Sequence, residues 1–487
     1  MAKASRLFFY ALIVWAPLPL ASNRPLLWAL NGVFAVLVLA LFLLGERSKS
    51  ARPEVDWQPV AFAAAAFAVV VLWMAVQALP GIPAQFRHPA WSAVPGAAGA
   101  ISISPSDTWT TLAEVLPIAL AGFLAARLAM DRRRARFLIG LVVAVTAAVA
   151  AYGLLADALG FRQVFLLDTV AYPGAVTGTF IGRNAAATYF VIGIAAATAM
   201  IAARAEAIAQ AAEASPRNWF LSTLEIVRST APFLLADLVL AAALLNTGSR
   251  GGTVAAAVAL VAVILLSLRR AGGTRTTLTT TLLAGLGAAF IVVAVSGDFL
   301  FARLAAGLGT EDRLAVYADT LDMIRDRPLL GQGGGTFIDA FPLYHLRASS
   351  AYLWDRAHDT YLQAAAELGL PAFGILVAGL VVVVVTIGRG ALRRGETHPA
   401  AVAAVAVAAA TAFHSLVDFS LQVQAVGLTA AVVMGAGLGE SVRRARSGRG
   451  QRAQAAAAAA ASVNYREAIN VTIPTAAGKS ASAASRS

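Results

Sequence analysis

The chain has 487 residues, 59% hydrophobic and only 13% charged, without a single cysteine. Soluble domains carry about 25% charged residues, so this composition excludes an ordinary water-soluble globule and implies an integral membrane protein. The missing cysteines exclude disulfides and thiolate chemistry. The net charge of +12 lies in short runs between apolar stretches, which fits topology signals and a basic tail rather than nucleic-acid binding.

The apolar runs are long and continuous, which predicts helices. At about 20 residues per crossing they amount to about twelve spans. The span cores fall near 7–22, 26–44, 58–80, 109–128, 137–157, 184–203, 231–247, 253–268, 278–296, 361–388, 399–416 and 421–440. The first, "LFFYALIVWAPLPLA", has the look of a signal-peptide core. A second span follows at once with no small-residue cleavage site, so it is read as a retained helix. With "MAKASR" in the cytoplasm, "ERSKSAR", "MDRRRAR", "LRRAGGTR", "GRGALRR" and "RRARSGRGQR" all fall on the cytoplasmic side. That pattern satisfies the positive-inside rule with an even number of spans and both ends inside.

Three outer segments stand out. Residues 81–108 form a Pro/Gly/Ser-containing loop, with Trp91 and Trp109 suited to an interfacial position. Residues 159–183 lead into "GTFIGRN". Residues 297–360 form the largest polar segment, expected to be a soluble loop. Inside it, "TEDRLAVYADTLDMIRDRP" predicts an amphipathic helix capped by Thr310, with Glu311 and Asp312 at its positive start and Pro328 as its stop. Leu314, Tyr317, Leu321 and Ile324 line up as one apolar stripe. "GQGGGTF" is too glycine-rich for helix and must be flexible or closely packed. Residues 1–440 thus form the membrane domain. Residues 441–487, basic and then Ala/Ser-rich, are expected to be a disordered cytoplasmic tail.

Ionisable groups at membrane depth cost about 2.5–3.5 kcal/mol each, so they usually line cavities and have partners. Arg250, in "NTGSRGG", is either an arginine snorkelling to the interface or part of an anion site. Ser249, Gly251 and Gly252 offer N–H groups at a helix start, which favours the anion site. His358 in "RAHDTYLQAAAELG" is either an interfacial or capping residue, or a general base or phosphate contact. Asp359 and Thr360 can cap the helix that follows. Tyr361 and Gln363 either meet sugar hydroxyls or pack, and Glu367 is expected to pair with an arginine. Arg325 and Arg327 are expected to pair with Asp322 and Asp326. His414 and Asp418 are expected to form a polar pair on one helix face. There is no "HExxH", tight acidic pair or Walker motif, so neither a metal nor ATP nor another cofactor is expected.

"NTGSRGGTVAA", "DRLAVYADTLDMIRDRPLLGQGGGTFIDAFPLY", "AHDTYLQAAAELGLPAFGIL" and "FHSLVDFSLQ", in that order, resemble the O-antigen ligase/polymerase superfamily. The motifs cover about 170–440, and the topology matches throughout. The resemblance implies an all-α polytopic protein of the bacterial inner membrane with about twelve transmembrane helices and a large periplasmic loop at about 297–360. It implies metal-independent, inverting transfer of a glycan from undecaprenyl diphosphate to a lipid A–core type acceptor, or polymerisation of repeat units. It gives catalytic roles to Arg250, Arg313 and His358 and leaves Arg183 as an additional cation. Asp359 stands where the family more often has Asn, which questions any amide-specific role there. On chemical grounds, arginines would stabilise the departing diphosphate and His358 would take the acceptor proton. A small-anion transporter is the competing class, although its site would lie near the midplane with repeated halves.

Overall fold

The computed structural model describes residues 2–45, 55–161, 163–164, 167–168, 172, 174–213, 219–270, 310–348, 353–393 and 397–443. The chain divides into a main unit, residues 1–51 and 57–442, and a small one of 52–56 and 443–487. In the small unit the described part is an antiparallel bridge between Val55 and Arg443. The expected span at 278–296 and the tail beyond Arg443 lie outside the described residues.

The main unit is built of α1 (Ala2–Trp15), α2 (Pro25–Gly45), α3 (Gln58–Ala78), α4 (Pro105–Ala129), α5 (Arg132–Ala158), α6 (Arg183–Glu213), α7 (Trp219–Asn246) and α8 (Arg250–Arg270). After the undescribed stretch come α9 (Thr310–Asp326), α10 (Phe337–Ala340), α11 (Thr360–Leu368), α12 (Leu370–Ala391), α13 (Pro399–His414) and α14 (Gln424–Val442). A hairpin of two-residue strands, Gln163–Val164 and Leu167–Asp168, precedes α6. Among the described residues nine helices, α2–α8, α12 and α14, are long and apolar enough to cross a membrane. The protein is an all-α polytopic membrane protein.

Two expected spans are corrected. The first helix stops at Trp15, and the chain then turns through Leu20, Ala21 and Ser22, all at positive φ. The span expected at 361–388 is two helices. Gly369 takes φ +80, which ends α11, and Pro371 opens α12 where its missing N–H costs nothing.

Helix α6 and helix α14 are nearly enclosed by protein, whereas α2, α3 and α12 keep most of their surface outward. Their exposed leucines and valines, such as Leu26, Val33, Leu72 and Leu380, suit lipid contact. Close approach at the centre depends on small residues. A Cβ on Gly435 would sit 2.1 Å from the Gly122 carbonyl oxygen, and one on Gly439 would sit 2.0 Å from that of Ala126.

The helix expected from the outer polar segment is present as α9, with Thr310 as its first residue and Pro328 just past its end. Its inward face differs from the expected stripe. Val316, Asp319, Thr320 and Met323 are fully buried, while Leu314 is 63% exposed. Ile324 packs against the core formed by Val316, Met323, Phe337, Phe341, Ala357 and Ala366. The apolar pattern missed this face because Asp319 turns inward, where Arg347 pairs with it at 2.7 Å.

Candidate active site

The "SRGG" turn joins α7 to α8. Thr247 Oγ1 accepts from the Ser249 N–H at 3.1 Å, and Ser249 Oγ accepts from the Gly252 N–H at 3.2 Å. Ser249 therefore caps the helix that Arg250 opens. Its hydroxyl also donates to Asn184 Oδ1 at 2.9 Å, and Asn184 Nδ2 donates to Asp418 Oδ1 at 2.7 Å. Gly251 admits His414, because a Cβ there would lie 2.7 Å from the ring Nε2. A Cβ on Gly252 would lie 2.5 Å from that of Ala187. Both glycines let α8 close onto its neighbours.

His414 and Asp418 do not form the expected pair on one face. Helix α13 ends at His414, and Asp418 lies in the loop beyond it. His414 Nδ1 meets Thr188 Oγ1 at 2.7 Å. Asp418 takes Asn184 and the Ser420 hydroxyl. Asn184 and Thr188 share a face of α6 one turn apart, so this helix organises both residues.

The loop 415–419 also anchors α11. Thr360 N–H donates to the Ser415 carbonyl at 2.8 Å, and Thr360 Oγ1 to that of Asp418 at 2.9 Å. Asp359 caps α11 as expected, accepting from Tyr361 and Leu362 N–H groups at 2.9 Å each. An Asn side-chain oxygen can do the same, so capping demands no amide at this position.

His358, just before the cap, holds φ +56. Its ring packs edge-on to Trp354 and Phe419 with centroids at 5.9 and 5.1 Å. Nδ1 is buried with no hydrogen-bond partner. The His358 carbonyl accepts from the Tyr317 hydroxyl at 3.1 Å, which ties α9 to this turn. One turn earlier on α9, Arg313 Nη1 donates to the Val417 carbonyl at 3.4 Å. Burial, and then the Arg313 charge, hold the imidazole below its ordinary pKa, opposed by Asp418 and Asp355.

The expected residues thus divide. Arg313, His358 and the Ser249–Gly252 turn containing Arg250 gather around loop 415–419. Arg183 opens α6 beside Asn184, with its guanidinium over the Tyr172 ring at 5.4 Å. Tyr361 and Gln363 both use polar groups on partners within the chain. The Tyr361 hydroxyl donates to the Ala412 carbonyl at 2.9 Å. Gln363, almost wholly buried, accepts from Ala357 N–H and donates to Glu367 and Gln422.

Glu367 does not form the expected ion pair. Its carboxylate accepts from Gly335 N–H at 2.9 Å, Phe337 N–H at 3.2 Å and Gln363 Nε2 at 2.9 Å. Burial raises its pKa, and these donors work against that rise. The glycine-rich stretch is therefore closely packed. A Cβ on Gly335 would stand 1.7 Å from Thr111 Oγ1. Arg325 pairs with Asp322 at 2.8 Å as expected. Arg327 instead donates to the Gly331 carbonyl at 2.9 Å and the Arg87 carbonyl at 3.1 Å, fastening the segment between α3 and α4 to the end of α9. Trp91 serves that segment too, donating to the Ser102 carbonyl at 3.0 Å, while Trp109 stays 49% exposed.

Sequence reasoning missed Asn184, Tyr317 as a tether, and the pair His88–Gln332. Asn184 sits beside Arg183 in "GTFIGRN", where the charged neighbour drew attention. His88 Nδ1 accepts from Ala90 N–H, so its proton lies on Nε2, which donates to Gln332 Oε1 at 2.8 Å.

Residues 235–377 match the family model described as O-antigen ligase. That match, over less than half of the chain, supports membership of the O-antigen ligase superfamily. The matched stretch contains Arg250, Arg313 and His358, whereas Arg183, Asn184, His414 and Asp418 lie outside it. No curated protein matches the chain. The match supports O-antigen ligase-type function in general, and the apolar helices support a multi-pass membrane protein.

Proposed function

We propose that this protein transfers a glycan from undecaprenyl diphosphate to an acceptor of the lipid A–core type, as an O-antigen ligase. In this reading it works at the periplasmic face of the bacterial inner membrane, with both termini cytoplasmic. The observation that carries the proposal is the convergence of His358 and Arg313 with the Arg250-bearing turn on one loop, residues 415–419.

The acceptor hydroxyl oxygen attacks the anomeric carbon from the face opposite the diphosphate, so the configuration inverts. Its proton passes to the imidazole as the new bond forms. Because Nδ1 is enclosed, Nε2 is the nitrogen left to receive that proton. The lowered pKa keeps the base neutral at physiological pH. The electron pair of the breaking C–O bond leaves with undecaprenyl diphosphate. Arg250 and Arg313 stabilise that charge, with Arg183 as a further cation and the Ser249, Gly251 and Gly252 segment at the helix start. Tyr361 and Gln363 position the turn that carries His358. Arginines in these places supply the charge stabilisation that a metal provides elsewhere, so the transfer is proposed to be metal-independent.

The test uses purified full-length protein, a polyprenyl-diphosphate glycan and a lipid A–core acceptor, with and without EDTA. Single-step transfer of an intact glycan, insensitive to EDTA and abolished in Arg250→Ala and His358→Ala, is expected. Normal turnover by both variants would sink the site assignment, and growth of the donor by added repeat units would show a polymerase instead.

A further inference from the structure

A pocket shares the Phe419 ring with His358. It measures about 230 Å³, and its lining includes Arg24, Trp28, Asp355, Arg356, Phe419 and Gln422. That is smaller than the roughly 300–1,000 Å³ of sites for drug-sized ligands, and it suits one charged sugar residue.

Non-glycine residues held at positive φ stand close in sequence to both of its arginines. Leu20, Ala21 and Ser22, at +50, +55 and +53, lead directly to Arg24, and His358 at +56 follows Arg356 by two positions. Such conformations persist only where surrounding contacts impose them, and they cluster at functional sites. Here the contacts are present. Ser22 Oγ donates to the Ala16 carbonyl at 2.6 Å, Asn31 Nδ2 to Ser22 Oγ at 2.9 Å, and Thr179 Oγ1 to the Pro17 carbonyl at 2.6 Å.

The guanidiniums are also underused. Arg24 gives one N–H to the Asn23 carbonyl at 2.9 Å, and Arg356 one to the Asp355 carbonyl at 3.3 Å. Among the described residues neither pairs with a carboxylate. Among the described residues that line the pocket, Asp355 is the one acid beside two arginines. The Trp28 indole N–H is buried and has no partner. Arginine forks and a spare N–H donor match a phosphate or carboxylate oxyanion.

We propose that this pocket is an acceptor subsite, in which Arg24 and Arg356 hold a phosphate or carboxylate carried on the acceptor saccharide. The assignment rests on the transfer reaction proposed above. The diphosphate of the donor belongs with Arg250 and Arg313, whereas this pocket shares the Phe419 ring with the proposed base. An anionic group bound here therefore places a nearby acceptor hydroxyl beside His358.

Full-length protein in neutral detergent is assayed with an oligosaccharide acceptor bearing a phosphate monoester and with the same acceptor after phosphatase treatment. Arg24→Gln and Arg356→Gln are each expected to raise KM for the phosphorylated acceptor about tenfold. The kcat, the donor KM and the KM for the dephosphorylated acceptor should not move. Equal losses with both acceptors, or a raised donor KM, overturn the subsite. Binding of glucose 6-phosphate, followed by saturation-transfer NMR with glucose as control, reads the pocket without turnover. Loss of binding in the double variant supports the subsite even if wild type transfers nothing, an outcome that sinks only the proposed reaction. Unchanged binding overturns the subsite, as does displacement of glucose 6-phosphate by phosphatidylglycerol nanodiscs, which would assign the pocket to a lipid headgroup. Should the glutamine variants not fold, Arg24→Lys and Arg356→Lys are read instead, with an increase of about threefold because charge is kept and the fork is lost.

Discussion

His358 combines a left-handed backbone, an enclosed Nδ1 and a nearby guanidinium. Each has a measurable consequence. The folded pKa is depressed, so the neutral, proton-accepting form persists below the ordinary value of about 6.5. The acid limb of the kcat/KM–pH profile should therefore fall below that value. Arg313→Gln removes the charge that disfavours imidazolium and should move the limb upward, whereas Asp418→Asn removes an opposing charge and should move it downward. Limbs that stay fixed in both variants would show that another group controls the profile. His358→Gln should lower kcat by about 100-fold or more with little change in the melting temperature, as expected for loss of a general base. The sequence set His358 and Arg313 apart as ionisable residues in a chain poor in charge. It could not disclose Asn184 or Asp418 as the link between them and the "SRGG" turn, because that link joins residues 65 and 234 positions apart.

At the level of elements, the segment around α11 shows how a polar residue can shape a loop. Glu367 receives three donors from two chain segments and fixes the glycine-rich stretch against α3 and α4. Glu367→Ala leaves two buried N–H groups unpaired, at about 1–3 kcal/mol each. A melting temperature lowered by several degrees is expected, read by thermal unfolding in detergent; an unchanged one would deny the anchoring role. A second contact, between α10 and the start of α4, responds to pH. Burial and the neighbouring Asp107 push Asp339 up to about 6. Between the ordinary carboxylate range and about 6 the folded protein holds a proton that the unfolded chain has released. This contribution is full below the unfolded pKa and is lost as pH rises through about 6. Asp339→Asn should flatten the melting-temperature profile over that interval, and a profile matching wild type would exclude the shared proton. Hydropathy made α9 legible as an element, but its buried face was misread because Asp319 is satisfied by Arg347, a partner 28 residues away.

For the molecule as a whole, the contrast lies between enclosed and lipid-facing helices. Gly439→Val would drive a side chain into the α4 backbone at Ala126. It should cost about 1–3 kcal/mol or more, or prevent assembly. Leu380→Ala, on the outward face of α12, should leave the melting temperature nearly unchanged. Comparable losses in both would mean that the centre is not packed through its glycines. Length and apolar runs were enough to determine an all-α membrane protein and the position of most spans, because transfer to lipid is a property of each stretch of about 20 residues. Where the chain interrupts a helix was not determined that way. Gly369 divides an apolar run that hydropathy reads as one. The turn at Leu20–Ser22 is imposed by contacts from α2 and from the segment before α6. The tertiary structure alone decided which polar groups meet, since a hydrogen bond between residues hundreds of positions apart leaves no local periodicity to read.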